Sequence, residues 1–343
     1  MQKSLDQKLA ALHADPSEVK EFILADAKDP DMGFGVPGTG RLADAEDGTP
    51  RYRSREQFLQ HIREIVADGV VDIMLMSAST SEKLTIEERL FDDSHVTPAV
   101  RANDTTDIYG VRGGRYQASA SRPFRSATID HIQCGHLDCR AEERSRGADL
   151  GLYSMTFNNS LEDDLRSAEA FKAFREEAER KGFRYFLEVF DPNVADAVSP
   201  ELMPSYVNDM IARTLGGVTK TGMPLFLKVA YHGPHALEEL INYDENLIVG
   251  MLGGSAGTTR DAFQLIHDAQ KYGARVALFG RKINNAEDQV LFIRFLRRIV
   301  DGDIEPAEAV RAYHAELETQ GIAPHRAIER DVELESHVTD PFG

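Results

Sequence analysis

Apolar residues gather into short runs of strand length that recur along the chain: "EFILAD" (21–26), "VVDIMLMS" (70–77), "TPAVRA" (97–102), "DLGLYSM" (149–155), "FRYFLEVF" (183–190), "PLFLKVA" (224–230), "LIVGML" (247–252) and "RVALFG" (275–280). Their apolar positions are mostly consecutive rather than alternate, the pattern of parallel strands buried on both faces. Between most of them lie segments with apolar residues at helical spacing, such as "SREQFLQHIREIVADG", "LEDDLRSAEAFKAFREEAERKG", "RDAFQLIHDAQKYG" and "NAEDQVLFIRFLRRIVDG", each closed by glycine. The alternation reads as repeated βα units, and eight of them predict a (β/α)8 barrel of the TIM type.

A doubly wound open sheet is the rival, but it wants a G-x-G-x-x-G turn after an early strand. Here the glycines cluster after the seventh and eighth runs. The whole chain, 1–343, is therefore expected to form one barrel domain with two additions. The stretch "GGRYQASASRPFRSATIDHIQ" (113–133) reads as an inserted hairpin or loop between strands three and four, and the aperiodic tail 318–343 as peripheral. The Gly/Pro-rich "DPDMGFGVPGTG" (29–40) reads as a long loop on the face where barrel active sites sit.

Composition narrows the function. A length of 343 residues, 42% of them hydrophobic, supplies a core large enough for such a barrel. The formal charge of −18 opposes binding to nucleic acid or an anionic membrane surface, yet a local pocket can still hold one small anion. Two cysteines, Cys134 and Cys139, cannot make a disulfide framework. With no secretory pattern at the N-terminus and no apolar run of spanning length, the expected location is the cytoplasm. A homo-oligomer is left open.

Three runs carry an ionisable residue near the C-terminal end: Asp26 in "FILADAKD", Glu188 in "FLEVFD" and Lys228 in "FLKVAY". In a parallel barrel these ends converge on one face. Burial would favour a neutral, nucleophilic amine at Lys228, although a structural ion pair or snorkelling to water would also account for a lysine there. Lys28 shares a strand face with Asp26 and competes for the amine role. Tyr153 on the fourth strand is a further proton donor. The segments "GGSAGTTRDAFQLI" and "FGRKINNAEDQ" look like a phosphate site made by Gly254, Ser255 or Thr258, Gly280 and Arg281, unless the glycines only make tight turns and Arg281 pairs with Glu287 or Asp288. His131, Cys134, His136 and Cys139 are zinc ligand types without a known zinc spacing, and no metal is assigned to them. His232 and His235 are either proton relays or loop residues.

With Asp on strand one, Glu on strand five, Lys on strand six, Ser-Ala-Gly after strand seven and Gly-Arg after strand eight, the chain resembles class I tagatose-1,6-bisphosphate aldolases, whose superfamily includes deoxyribose-phosphate aldolases. The resemblance spans most of residues 20 to 300 and departs at 29–40, at 113–133 and in the cluster Asp26-Ala27-Lys28-Asp29. It implies a barrel lyase working through a Schiff base with no cofactor. Lys228 would form the imine with a phosphorylated ketose, Glu188 would transfer protons, Asp26 would stand near the reacting hydroxyl, and Gly254, Ser255, Gly280 and Arg281 would hold phosphate. A sugar-phosphate isomerase or epimerase without a covalent intermediate, and a non-catalytic sugar-phosphate binder, remain the alternatives.

Overall fold

Helix starts and stops follow local signals. The helix Arg55–Asp68 opens on a reciprocal Ser54–Gln57 capping box and ends at Gly69 in the left-handed conformation, and Leu161–Lys181 ends in the same way at Gly182. Between such helices, the computed structural model places eight parallel strands: β1 (Ile23–Lys28), β2 (Ile73–Met76), β3 (Thr97–Arg101), β4 (Leu150–Thr156), β5 (Arg184–Phe190), β6 (Leu227–Val229), β7 (Val249–Leu252) and β8 (Val276–Phe279). They close into a barrel in the order β1-β8-β7-β6-β5-β4-β3-β2. The structure describes residues 1–15, 20–42, 44–108, 110–254 and 257–335.

All eight apolar runs became barrel strands, with one boundary change that matters. β1 continues to Lys28 rather than stopping at Asp26, so its C-terminal end lies about one residue pair further on. Side chains alternate between the barrel interior and the surrounding helices. Ile23, Ala25, Ala27, Ile73, Leu75, Ala99, Leu150, Leu152, Phe186, Phe226, Ile248, Val276 and Leu278 fill the interior. Leu24, Met74, Met76, Val100, Tyr153, Leu187, Leu227 and Val249 face the helices.

Two segments differ from the sequence expectation. The stretch 29–40 is no open loop: it folds into a short helix, Pro30–Phe34, and a tight helical turn, Val36–Thr39. The described part of the tail is tied to the barrel. Asp331 accepts from the Thr259 backbone N–H at 2.8 Å and pairs with His314 at 2.9 Å, and the Thr258 hydroxyl donates to the Glu333 carbonyl at 2.7 Å. The connection between β3 and β4 carries a two-residue ribbon, Asp104–Thr105 against Pro123–Phe124, and the helix Ile129–Cys134.

An N-terminal helix, Ser4–Ala14, closes the bottom of the barrel by inserting Leu5, Leu9 and Leu12 into the interior cluster. Its three leucines share a face at i, i+4 and i+7, although the strand-run pattern gave no warning of this role. Since Leu5 is fully buried, Leu5→Ala should cost about 2–5 kcal/mol of unfolding free energy in a urea titration. A loss below about 0.5 kcal/mol, the level of an ordinary surface change, would show that the helix is not an integral plug.

Candidate active site

The alternation of side chains selects what reaches the C-terminal mouth. On β5 and β6, Glu188 and Lys228 are paired neighbours in register and share the interior parity of Phe186 and Phe226, whose rings stack at 4.5 Å beneath them. The Lys228 Nζ lies 2.5 Å from Glu188 Oε1, and both side chains are almost fully buried. The ion pair that the sequence could not reveal is thus formed across adjacent strands. Room beside Lys228 comes from Gly250, its partner on β7: a Cβ there would lie 2.8 Å from the Leu227 carbonyl oxygen.

The other Glu188 oxygen is held from β4 and β3. Ser154 Oγ donates to Glu188 Oε2 at 2.7 Å, and Arg101 Nη2 lies 3.5 Å from the same atom. Arg101 also donates through Nη1 to Ser154 Oγ at 3.0 Å and through Nε to Asp29 Oδ2. Burial alone would lower the Arg101 pKa, but Asp29 and then Glu188 outweigh it and hold the group firmly protonated. Asn103 fixes the strand beneath by accepting from Ser154 N at 2.7 Å and donating to its carbonyl at 2.9 Å.

Asp29, Arg101, Glu188 and Lys228 line a cavity of about 120 Å³ with Ala27, Phe34, Ile108, Phe190, Gly254, Gly280 and Arg281. Arg281 stands over the Phe34 ring at 5.2 Å and, among the described residues, makes no ion pair. Burial lowers its pKa, with Glu188 the opposing charge. The surface pairing with Glu287 or Asp288 does not form: Glu287 accepts from the Tyr313 hydroxyl and Asp288 caps the helix Gln289–Val300. Gly254 has φ +57°, where a side chain is strained, and a Cβ on Gly280 would approach the Ala27 carbonyl to 2.9 Å. Ser255 lies outside the described residues. Thr258 is spent on capping the helix Thr259–Lys271 and on the tail.

Asp26, Lys28 and Tyr153 are the corrections. Asp26 and Lys28 share the outward parity of Leu24 and are absent from the cavity wall. They pair with each other at 2.8 Å, fully buried, with the Arg53 guanidinium as a charged neighbour; burial, Arg53 and Lys28 in turn lower the pKa of His61. Burial pushes the Lys28 amine down and the Asp26 carboxyl up, each opposed by its partner. A depressed amine pKa alone would therefore select Lys28, but Lys228 is the amine that lines the cavity. Tyr153 also points outward, stacked on Phe174 at 4.5 Å, and burial raises its pKa. Asp29, one residue past β1 and of inward parity, occupies the place expected of Asp26.

The remaining candidates lie elsewhere. Cys134 and Cys139 form a disulfide, so neither thiol is free as a ligand. His131 caps its own helix through Thr128, and His136 is exposed. Among the described residues no group of His, Cys, Asp and Glu is arranged to hold a metal ion, and no helix is long and apolar enough to cross a membrane. His232 pairs with Asp191 at 2.8 Å, and His235 is exposed.

Arg101, Asp29 and Ser154 are the site residues that sequence reading missed. Arg101 was visible as the lone charge ending the third apolar run, but its partners come from three other strand ends.

No family model and no curated protein matches the chain. Solved structures do match by fold. A fructose-bisphosphate aldolase from Slackia heliotrinireducens aligns over 93% of this chain and 93% of its own at 14% identity, TM-score 0.63. A Schiff-base-forming fructose-1,6-bisphosphate aldolase aligns over 87% of this chain and all of its own at 18% identity, TM-score 0.58. An archaeal fructose-1,6-bisphosphate aldolase, solved with its catalytic lysine bound to the carbinolamine intermediate, aligns over 87% and 99% at 17% identity, TM-score 0.58. At these identities the likeness establishes the barrel fold, and the chemistry in those descriptions is that of the neighbours.

Behind the cavity, Asp104 titrates within reach of experiment. Burial, opposed by Arg101, raises its carboxyl from 3.8 to about 6, and its Oδ2 has no hydrogen-bond partner. The folded state therefore holds the proton more tightly than the unfolded chain. This contribution is complete below pH 3.8 and is lost as pH rises through about 6, a difference of about 3 kcal/mol. Asp104→Asn should flatten the decline in stability between pH 4 and about 6.5 measured by urea unfolding. An unchanged pH profile would show that Asp104 titrates normally.

Proposed function

We propose that this chain is a class I aldolase acting on a phosphorylated ketose and releasing dihydroxyacetone phosphate or a related product. The observation that carries the reading is the Lys228–Glu188 pair at 2.5 Å, on the wall of a cavity that also holds Arg281, which makes no ion pair among the described residues. The resemblance to tagatose-1,6-bisphosphate aldolases and the fold neighbours support it.

The geometry suggests the steps. Glu188 takes a proton from the Lys228 ammonium, and the freed amine adds to the ketose carbonyl to give a carbinolamine. Glu188 returns a proton to the departing hydroxyl as water leaves, and the iminium forms. A carboxylate at the far side, Asp29, removes the proton of the hydroxyl on the carbon beyond the bond to be broken. The electrons of that bond pass to the iminium nitrogen, leaving an enamine on Lys228 and a free aldehyde. Protonation of the enamine and hydrolysis of the resulting iminium release the ketone and restore the lysine. Arg101, by holding Glu188 and Asp29 together, fixes the spacing between the two proton-transfer groups.

Phosphate held by Arg281 and the Gly254 and Gly280 loops would orient the carbonyl, converting binding free energy at a remote group into alignment at the reacting one. Charge-assisted hydrogen bonds contribute roughly 1.5–3 kcal/mol, so Arg281→Ala should raise the KM for a phosphorylated substrate by on the order of tenfold or more. Unchanged KM would remove Arg281 from the phosphate site.

Borohydride reduction in the presence of dihydroxyacetone phosphate should leave an adduct on the Lys228 peptide, detectable by mass spectrometry and missing in Lys228→Met. Turnover of a sugar phosphate with no adduct would favour the isomerase or epimerase. Because the iminium is the electron sink in this scheme, EDTA treatment should leave the activity intact; loss restored by zinc would point to a metal-assisted reaction.

A further inference from the structure

The charges around the cavity are distributed unevenly. In a closed eight-stranded ring, β8 stands opposite β4, with β3 and β5 flanking β4. Arg281 and the glycines follow β7 and β8, and Lys228 on β6 stands between them and the far wall. That wall presents Arg101 from β3 and Glu188 and Phe190 from β5.

Among the described residues three cations line the cavity, and two are already matched. Lys228 is paired with Glu188. Arg101 has all three of its guanidinium nitrogens engaged, on Asp29, Ser154 and Glu188. Of the three cations, Arg281 alone lacks a carboxylate among the described residues, and Gly254, in the left-handed conformation, lies at its end of the cavity. A phosphate brought to the far wall would meet the Glu188 carboxylate and the Phe190 ring, with no uncommitted cation among the described lining residues to receive it. Its dehydration would go uncompensated, and like charges would oppose it. The cavity, at about 120 Å³, is also small beside the roughly 300–1,000 Å³ usual for small-molecule sites.

Resting on the aldolase reading, we propose that the pocket takes a ketose bearing a single phosphate. The phosphate sits on Arg281 beside the reacting carbonyl, and the far end of the sugar carries no phosphate. Phe190 is then a specificity-determining residue, because it fills the place where a second phosphate-binding cation would have to stand. This separates the chain from the bisphosphate aldolases it resembles in fold.

The test uses the intact protein and the lysine as reporter. Lys228 is trapped with dihydroxyacetone phosphate and borohydride while fructose 1-phosphate or fructose 1,6-bisphosphate competes, and the protection constants are compared. The monophosphate should protect at concentrations at least about tenfold lower than the bisphosphate, and Phe190→Arg should narrow or reverse that ratio. A monophosphate that protects no better than the bisphosphate overturns the proposal. If dihydroxyacetone phosphate leaves no adduct, the aldolase reading itself has failed. Calorimetric titration of the same two sugars, with Arg281→Ala as control, then still decides the number of phosphates: preference for the monophosphate that depends on Arg281 upholds it, and equal or tighter bisphosphate binding overturns it.

Discussion

The guanidinium of Arg101 gathers groups from four strands into one charge-balanced unit. Its three nitrogens reach Asp29 beyond β1, Ser154 on β4 and Glu188 on β5, and Glu188 in turn holds Lys228 on β6. None of these groups could remain charged alone at such burial, because desolvation would neutralise or expel it. Together they are a network in which each charge has an opposite neighbour and each carboxylate a donor. Arg101 is suited to this because its planar fork serves three acceptors at once, which a lysine ammonium at the same point could not match in geometry.

The network sits where it does because strands in a barrel alternate their side chains with a period of two. Lys228, Glu188, Arg101 and Asp29 all have interior parity, directly above the layer of Phe186, Phe226, Ala99 and Ala27. Asp26, Lys28 and Tyr153 differ from them by one position and face the helices instead. The buried Asp26–Lys28 pair is thus a second, separate ionic unit, on the outer side of β1 and back to back with the cavity. Removing one of its partners would strand the other charge in a dry environment.

Elements outside the βα repeat hold the two ends of the barrel. The N-terminal helix fills the bottom, where the strands would otherwise expose Ile23, Ile73 and Ile248. At the other end, the tail braces the segment after β7, where Arg326 donates to the Gly257 carbonyl at 2.7 Å and Asp331 holds the Thr259 N–H; Lys282, from the helix after β8, donates to the same carbonyl at 2.9 Å. That bracing uses the first N–H groups of the helix Thr259–Lys271 for protein contacts. On the proposed reading, phosphate binding at this corner would therefore fall to Gly254, Gly280 and Arg281.

By itself the sequence determined the eight strands, their parallel arrangement and the face on which chemistry would gather. Consecutive apolar runs separated by amphipathic, glycine-closed helices admit few other folds. It also marked Lys228, Glu188 and Arg281 as exceptional, since each is a charge at the edge of an apolar run or glycine turn. What only the tertiary structure decided was parity and partnership. Asp26 lies on the outward face of β1, and Asp29, three residues on and of opposite parity, is the carboxylate at the mouth; strand ends set by hydrogen-bond register are not written in local composition. Arg101 became a central residue only when closure brought positions 29, 154 and 188 within reach of position 101, because its meaning lies in contacts between residues 53 to 87 positions apart.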